Sequence, residues 1–503
     1  MRKKWILSIT GISIIFIVWV LISALIGKFF VPQPWITLCD TAALLVRPYT
    51  LKQILITFSR VIAGFLLAFV TGTLAGIVSG RRESVELLLK PITLFIQGVP
   101  PLLWAIPLII ILGMGHLSPI FVIALICFPL IALNVIEGMK TVPHGLEEMI
   151  QVFTHGNYPR IKEVVIPHLR PFFSSSLKLG ITLGIKASVV AEYFGANNGI
   201  GFQIQAAFQT LQVRMLFAWG FILVIIIVLI SRLFSKVIKE EDQSVDRQQR
   251  LIAGWESAYT ELLSSEGKKE AIGIYNTILT ERRIMPLTLR DVSFSYQGLE
   301  NNDAEPLLSG INLNVDPDEI AVISGESGIG KTTLLKIISH LLEPSQGTVQ
   351  SPKRLGFVFQ DDRLIPWRSV LRNAALPLLY KGYSKKDVVC ISDMLLEEAG
   401  LKESRLKVPD ELSGGMKKRV CLARCFARSP KLILLDEPFA GLDKASRMRL
   451  WQKFFDLLKS SLVPAIIVTH FPEELIGYTK CVFYELYGRP AHLVRLSNTG
   501  KQV

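Results

Sequence analysis

The spacing of apolar positions divides this chain into two halves. Up to about residue 235 they run together in long, nearly uncharged stretches. One covers about 5–27 and follows Arg2-Lys3-Lys4. The others cover about 61–80, ending at Arg81-Arg82, then 91–114, 118–136, a less apolar 177–194, and 215–232. About twenty apolar residues let a helix cross the hydrocarbon core, so the pattern predicts six transmembrane spans over 1–235. The first run is too long for a signal-peptide core and has no small-residue cleavage site, which makes it a retained helix. From 236 to 284 the chain turns polar. Leu251, Ile252, Trp255, Tyr259, Leu262 and Leu263 recur at helical spacing, followed by Ile272, Ile274, Tyr275, Ile278 and Leu279, and this predicts a helical linker. From 285 to 503 short alternating strands interleave with helices, the pattern of an α/β domain.

Composition sharpens this division. The chain has 503 residues and a net charge of +13, more than one core can hold. A basic chain can serve nucleic acid, but here many cations flank apolar runs, so no nucleic-acid partner is expected. With the N-terminus inside, the inner segments hold Arg2, Lys3, Lys4, Arg81, Arg82, Lys90, Lys140, Arg160, Lys162 and Arg170. The outer ones hold only Lys28, Arg47, Lys52 and Arg214. The cation bias predicts that both termini lie in the cytoplasm, with the six spans among membrane lipid. The six cysteines form no CxxC pair, which predicts neither a disulfide nor a metal–thiolate site; Cys421 and Cys425, one helical turn apart, read as helix packing. Arg60, Lys186 and Glu192 fall near membrane depth. Each is either functional, because an unpaired charge in lipid is expensive, or snorkels from a helix end. Pro100, Pro101 and Pro107 interrupt the third run, which then reads as lining a pathway.

The densest chemistry is in Gly325-Glu326-Ser327-Gly328-Ile329-Gly330-Lys331-Thr332-Thr333, which fits G-x-x-x-x-G-K-[ST] between a short apolar strand and a helix. Backbone N–H groups in such a loop turn onto phosphate oxygens, and the helix N-terminus adds positive potential. Lys331 can reach the β- and γ-phosphates of ATP, and Thr332 can offer a hydroxyl to Mg²⁺. About a hundred residues later Leu432-Ile433-Leu434-Leu435 ends in Asp436-Glu437. Asp436 is placed to hold Mg²⁺, and Glu437 to act as the base that orients the attacking water.

Leu412-Ser413-Gly414-Gly415-Met416 resembles the LSGGQ signature of ABC ATPases. The resemblance extends from about Leu287 to Glu485. It implies that Ser413, Gly414 and Gly415 bind the γ-phosphate of ATP held by a partner's loop. It also implies that Gln360 lies near Mg²⁺ and the attacking water, that His470 contacts the γ-phosphate, and that Tyr296 stacks on adenine. Ala440-Gly441-Leu442-Asp443 resembles the D-loop. Over about Ile54 to Lys239 the chain resembles the permeases of binding-protein-dependent ABC importers, closest to the nitrate/sulfonate/taurine group, whose relatives also carry thiamine precursors. The likeness rests on Ser59-Arg60-Val61-Ile62-Ala63-Gly64-Phe65, Gly98-Val99-Pro100-Pro101, Ala191-Glu192-Tyr193-Phe194-Gly195 and Gly199-Ile200-Gly201. In that family a cytoplasmic loop carries E-A-A-x-x-x-G and then I-x-L-P. This chain has Glu148-Met149-Ile150, Thr154 in place of the glycine, and Val164-Val165-Ile166-Pro167.

The resemblance implies an all-α six-helix permease followed by an α/β P-loop ABC ATPase. Together they would import a small solute, with an external solute-binding protein and, most simply, as a homodimer with composite ATP sites. An exporter-type half-transporter also joins six helices to an ATPase, and a membrane-tethered ATPase doing conformational work on proteins is a further alternative. Leu146, Met149, Ile150 and Phe153 share a helical face, so the 140–171 loop is expected to dock on the ATPase near Gln360.

Overall fold

The computed structural model describes residues 2–242 except 155, residue 273, and residues 286–296 and 306–496 except 318, 462 and 479. The expected linker helices at 251–263 and 272–279 lie outside the described residues, apart from Gly273. The chain forms two compact units, one of residues 1–142 with 168–244, the other of residues 143–167 with 245–503.

The first unit is helical. It contains α1 (Arg2–Ile26), α2 (Pro34–Leu45), α3 (Pro48–Ser79), α4 (Glu83–Gly98), α5 (Pro101–Leu112) and α6 (Leu117–Lys140). After the segment that belongs to the other unit come α9 (Ile166–Gly195), α10 (Ile200–Gln209) and α11 (Val213–Asp242). Among the described residues α3, α6 and α11 are each long and apolar enough to cross a membrane, and two bent helix pairs bring the number to as many as five. The first expected span falls on α1. The second starts earlier than the apolar run does: α3 begins at Pro48, and its polar residues Thr50, Gln53, Thr57 and Arg60 are buried within the unit. The third is not one continuous helix. Val99 and Pro100 are extended, Pro101 starts a new helix, and α4 and α5 meet at 97°. Proline lacks the N–H that would continue the helix and drives the residue before it out of the helical region. Helices α3 and α6 approach closely. A Cβ on Gly64 would lie 2.6 Å from the Ile120 carbonyl, and one on Gly76 would lie 2.7 Å from Val135. Small residues at a membrane helix interface permit this approach.

Arg60 and Glu192 do not snorkel. They are 1% and 0% exposed and pair at 2.9 Å. Thr57 Oγ1 and the Gly201 N–H donate to the same carboxylate at 2.9 and 3.0 Å, and Arg60 also donates to Asn198 and to His116 Nδ1. The network joins α3, the α9–α10 break and the turn before α6. Gly201 sits against it so closely that a Cβ there would lie 2.3 Å from the Val189 carbonyl. An ion pair this dry is tolerable only because hydrogen bonds fill both partners. Lys186, by contrast, is exposed.

The second unit is α/β. Strands β1 (Leu287–Phe294), β2 (Leu308–Val315) and β4 (Gln346–Gln350) form an antiparallel sheet in the order β2-β1-β4. A six-stranded sheet has the order β5-β6-β7-β3-β8-β9, from β3 (Ile320–Gly325), β5 (Leu355–Val358), β6 (Leu432–Asp436), β7 (Ala465–Val468), β8 (Cys481–Tyr487) and β9 (His492–Arg495). It is parallel except for β9. Strands β3, β5, β6 and β7 are almost wholly buried and rich in Ile, Leu and Val, as strands covered on both faces must be. The helices include α12 (Lys331–Ile338), α13 (Val370–Ala374), α14 (Lys385–Glu398), α15 (Gly414–Phe426) and α16 (Lys444–Ser461). Two short helices that precede α9, α7 (His144–Thr154) and α8 (Asn157–Arg160), pack in this unit, followed by a π turn, Ile161–Val165.

Candidate functional site: a phosphate loop and its docked helix

Parallel strands deliver their C-terminal ends to one edge of the sheet, and the candidate chemistry collects there. Strand β3 ends in the loop that opens α12. Gly330 caps that helix at φ 111°, a left-handed backbone that glycine adopts without strain. A Cβ there would also lie 2.8 Å from Leu308 Cδ2. Glu326, Ser327, Gly328 and Thr332 are exposed, and Gly325 and Ile329 are half-buried. Lys331 is buried, and its Nζ donates to the Gly325 and Glu326 carbonyls, both at 2.7 Å. Desolvation pulls its pKa down against the attraction of Glu437 and Asp436. Tyr296, 56% exposed, stands edge-on to Phe294, and its hydroxyl lies 3.1 Å from Thr333 Oγ1.

Strand β6, two strands from β3, ends at Asp436. Burial raises the pKa of this carboxyl, partly offset by a hydrogen bond from Thr332 and reinforced by the neighbouring Glu437. Its Oδ1 is buried with no hydrogen-bond partner. A carboxylate short of a partner, next to the Thr332 hydroxyl and facing the phosphate loop, suits an oxygen-seeking cation such as Mg²⁺. Glu437 sits at φ 44°, and its N–H is fixed by the Val468 carbonyl at 2.9 Å. Gln360, which follows β5, donates to Glu437 Oε2 at 3.2 Å, and His470, which follows β7, lies 2.9 Å from Oε1. Thus four loops from neighbouring strands bring together the loop lysine, the paired acids, the amide and the imidazole.

Ser413 stands apart from these contacts. It is the exposed N-cap of α15, and its Oγ accepts from the Met416 N–H at 3.4 Å. Capping uses the oxygen and leaves the O–H free to donate. Gly414 and Gly415 have open space where a Cβ would stand, so their backbone is approachable. Asp443 caps α16 through the Ser446 N–H at 2.9 Å.

Helix α7 lies on this unit through the face of Leu146, Met149, Ile150 and Phe153, all buried. Glu148 pairs at 2.7 Å with Lys336 of the phosphate-loop helix and at 2.7 Å with Arg363, three residues after Gln360. Burial raises the Glu148 pKa, but the two cations outweigh it and the net shift is down. Sequence reasoning missed a second anchor. Glu163, in the π turn, is 2% exposed. It pairs with Arg368 and accepts from the Tyr380 hydroxyl, while its carbonyl accepts from Trp367 Nε1 at 3.1 Å. Burial lowers the Arg368 pKa to about 10. Pro167 is half-buried and is the second residue of α9, which follows the π turn directly.

A phosphate loop, paired acids at a strand end and a helix opened by Ser-Gly-Gly define an ATPase of the ABC class. A family model described as ABC transporter matches residues 308–440, and one described as binding-protein-dependent transport system inner membrane component matches residues 68–240. The aliphatic sulfonates import ATP-binding protein SsuB 2 of Pseudomonas syringae pv. syringae is 38% identical over 211 residues, 42% of this chain and 73% of that protein. The taurine import ATP-binding protein TauB of Sinorhizobium fredii is 37% identical, covering 38% of this chain and 74% of that one. The formylaminopyrimidine import ATP-binding protein ThiZ of Halalkalibacterium halodurans is 34% identical, covering 38% and 75%. The chain belongs to the ABC transporter family, and it joins an importer-type permease and an ATPase in one integral membrane polypeptide.

Proposed function

We propose that the chain imports a small solute of the sulfonate, taurine, nitrate or thiamine-precursor kind, driven by ATP. It works in the cytoplasmic membrane as a homodimer, with both termini in the cytoplasm and an external binding protein delivering the solute. The names of the relatives support the solute class, and the cation bias supports the orientation. The observation that carries the reading is the convergence of Gln360 and His470 on Glu437, beside Asp436 and the phosphate loop.

In this reading the loop N–H groups and Lys331 bind the ATP phosphates, and Tyr296 stacks on the base. Thr332, Asp436 and Gln360 would hold Mg²⁺, which supplies charge neutralisation on the phosphates. Glu437, oriented by Gln360 and His470, accepts a proton from the attacking water. Ser413, Gly414 and Gly415 lend their donors to the γ-phosphate on the partner copy, giving two equivalent sites by symmetry. Glu148, Met149, Ile150 and Pro167 belong to the element through which the ATPase works the permease.

The test mixes Ser413→Arg subunits with Lys331→Ala subunits. Each mixed dimer then holds one intact and one doubly damaged site. Neither variant hydrolyses ATP alone, and the mixture recovers part of the activity. Verified mixed dimers without recovery would overturn the shared site, unless both sites must fire together.

A further inference from the structure

Helix α15 grips the segment that orients the candidate base. Along one of its faces Lys418, Cys421 and Arg424 recur every three residues, the spacing of neighbours on a helix surface. Lys418 Nζ donates to the Gln360 carbonyl at 2.6 Å and pairs with Asp362 at 3.2 Å. Cys421 Sγ donates to the Asp362 carbonyl at 3.0 Å. Arg424 donates to the Asp362 and Arg363 carbonyls at 3.0 and 2.8 Å. Cys421 and Arg424 are almost wholly enclosed and secure the segment as part of the core. Lys418 differs in two respects. It is the rung nearest Ser413, five residues along the same helix, and it holds Gln360 itself.

We infer that Lys418 is a positioning residue linking the two ATP sites of the dimer: it passes engagement of Ser413 with the partner's nucleotide to Gln360, and so to Glu437 of its own site. Five residues span about 7.5 Å of helix, a length that does not stretch. A displacement of the α15 N-terminus therefore reaches Lys418 nearly undiminished. At 8% exposure the ammonium has little water to exchange for its two acceptors, and charge-assisted hydrogen bonds of this kind are strong and directional. The Gln360 peptide moves with them. The Gln360 side chain, 3.2 Å from Glu437 Oε2, then tightens or slackens on the base. Binding at one site thus sets the readiness of the other, which is a coupling free energy between distinct sites.

The inference rests on the shared-site reading above, and the experiment separates the two. ATP hydrolysis by the reconstituted full-length dimer is measured against ATP concentration. Wild type gives a Hill coefficient approaching its ceiling of about 2 for two sites. Lys418→Met lowers it to about 1, while nucleotide binding in a Glu437→Gln background stays within about twofold, a difference under about 0.5 kcal/mol. Lys418→Arg, which keeps the charge, restores part of the cooperativity. Asp362→Asn, which removes the anion beside Lys418 without changing shape, moves the coefficient in the same direction and serves as the test if Lys418→Met does not assemble. A merely structural lysine would lower stability and leave the coefficient alone. An unchanged coefficient in an assembled Lys418→Met dimer overturns the inference, as does a wild-type coefficient of 1. Where Lys418→Met does not assemble, an unchanged coefficient in Asp362→Asn overturns it. Retained hydrolysis in Ser413→Arg overturns the shared site, and this inference with it. An inactive Ser413→Arg together with an unchanged coefficient in Lys418→Met overturns this inference alone.

Discussion

Met149→Asp is the sharpest test of the docked helix. The methionine is 0% exposed, and burying such a side chain stabilises by about 1.5–3 kcal/mol. An aspartate in its place forfeits that and must be neutralised. At pH 7, protonating a carboxyl of ordinary pKa 3.9 costs about 1.36 kcal/mol for each of about three pH units, or roughly 4 kcal/mol. The total is about 6 kcal/mol, and moving a two-state equilibrium from 99:1 to 1:99 takes about 5.5 kcal/mol. The two Glu148 ion pairs are the same in wild type and variant, so they do not offset that loss. Helix α7 therefore leaves its seat. In vesicles, solute uptake stimulated by the binding protein should collapse, while basal hydrolysis persists and no longer responds to the binding protein. Met149→Leu, close in volume and apolar, should keep both activities. Unchanged stimulated uptake in Met149→Asp would refute the reasoning.

Glu437→Gln should bind ATP and form dimers but lose steady-state hydrolysis, since an amide can orient water without accepting its proton; turnover at the wild-type rate would reassign the base. The net-lowered pKa of Glu148 means that its pairs contribute fully above the ordinary carboxylate pKa and fail only as pH falls through the depressed value. Stimulation by the binding protein should therefore stay level in wild type from pH 8 to 6 as far as this contact is concerned, while Glu148→Gln is impaired at pH 7; equal stimulation of the two at pH 7 would show the pairs to be idle. Removing Arg60 alone or Glu192 alone strands a buried charge, a loss of about 3–5 kcal/mol. Unfolding in detergent should show Arg60→Met/Glu192→Met to be less damaged than the sum of the single variants by about 0.5–3 kcal/mol, and strict additivity would count against the pair.

The phosphate loop, the paired acids and the Ser-Gly-Gly cap were legible because each is written in consecutive residues. The apolar face of α7 was legible for a similar reason, since Leu146, Met149, Ile150 and Phe153 declare it within two turns. What the sequence hid was pairing at a distance. Arg60 and Glu192 are 132 residues apart, and neither alone decides between a functional charge and one that snorkels. Glu163 meets Trp367 and Tyr380 across 204 and 217 residues, and no local spacing points to such partners. The early start of α3 was hidden for the opposite reason. Thr50, Gln53, Thr57 and Arg60 break the apolar run because they face protein. The prolines at 100 and 101 signalled a break, but its 97° angle is set by packing that spacing does not encode.

Helix α7 also sets an order of events during synthesis. Phe153, whose carbonyl accepts from Arg428, is made 275 residues before that partner. Lys336 and Arg363 follow Glu148 by 188 and 215 residues. At about 5–20 residues per second, the ribosome takes some 14–55 s to supply the last of these partners. Until then the apolar face of α7 has no seat, and it stays in the compartment where the ATPase will be made. A nascent chain halted before about residue 430 therefore presents Met149, Ile150 and Phe153 to whatever binds exposed apolar helices. The finished contact, in turn, marks that translation has passed Arg428.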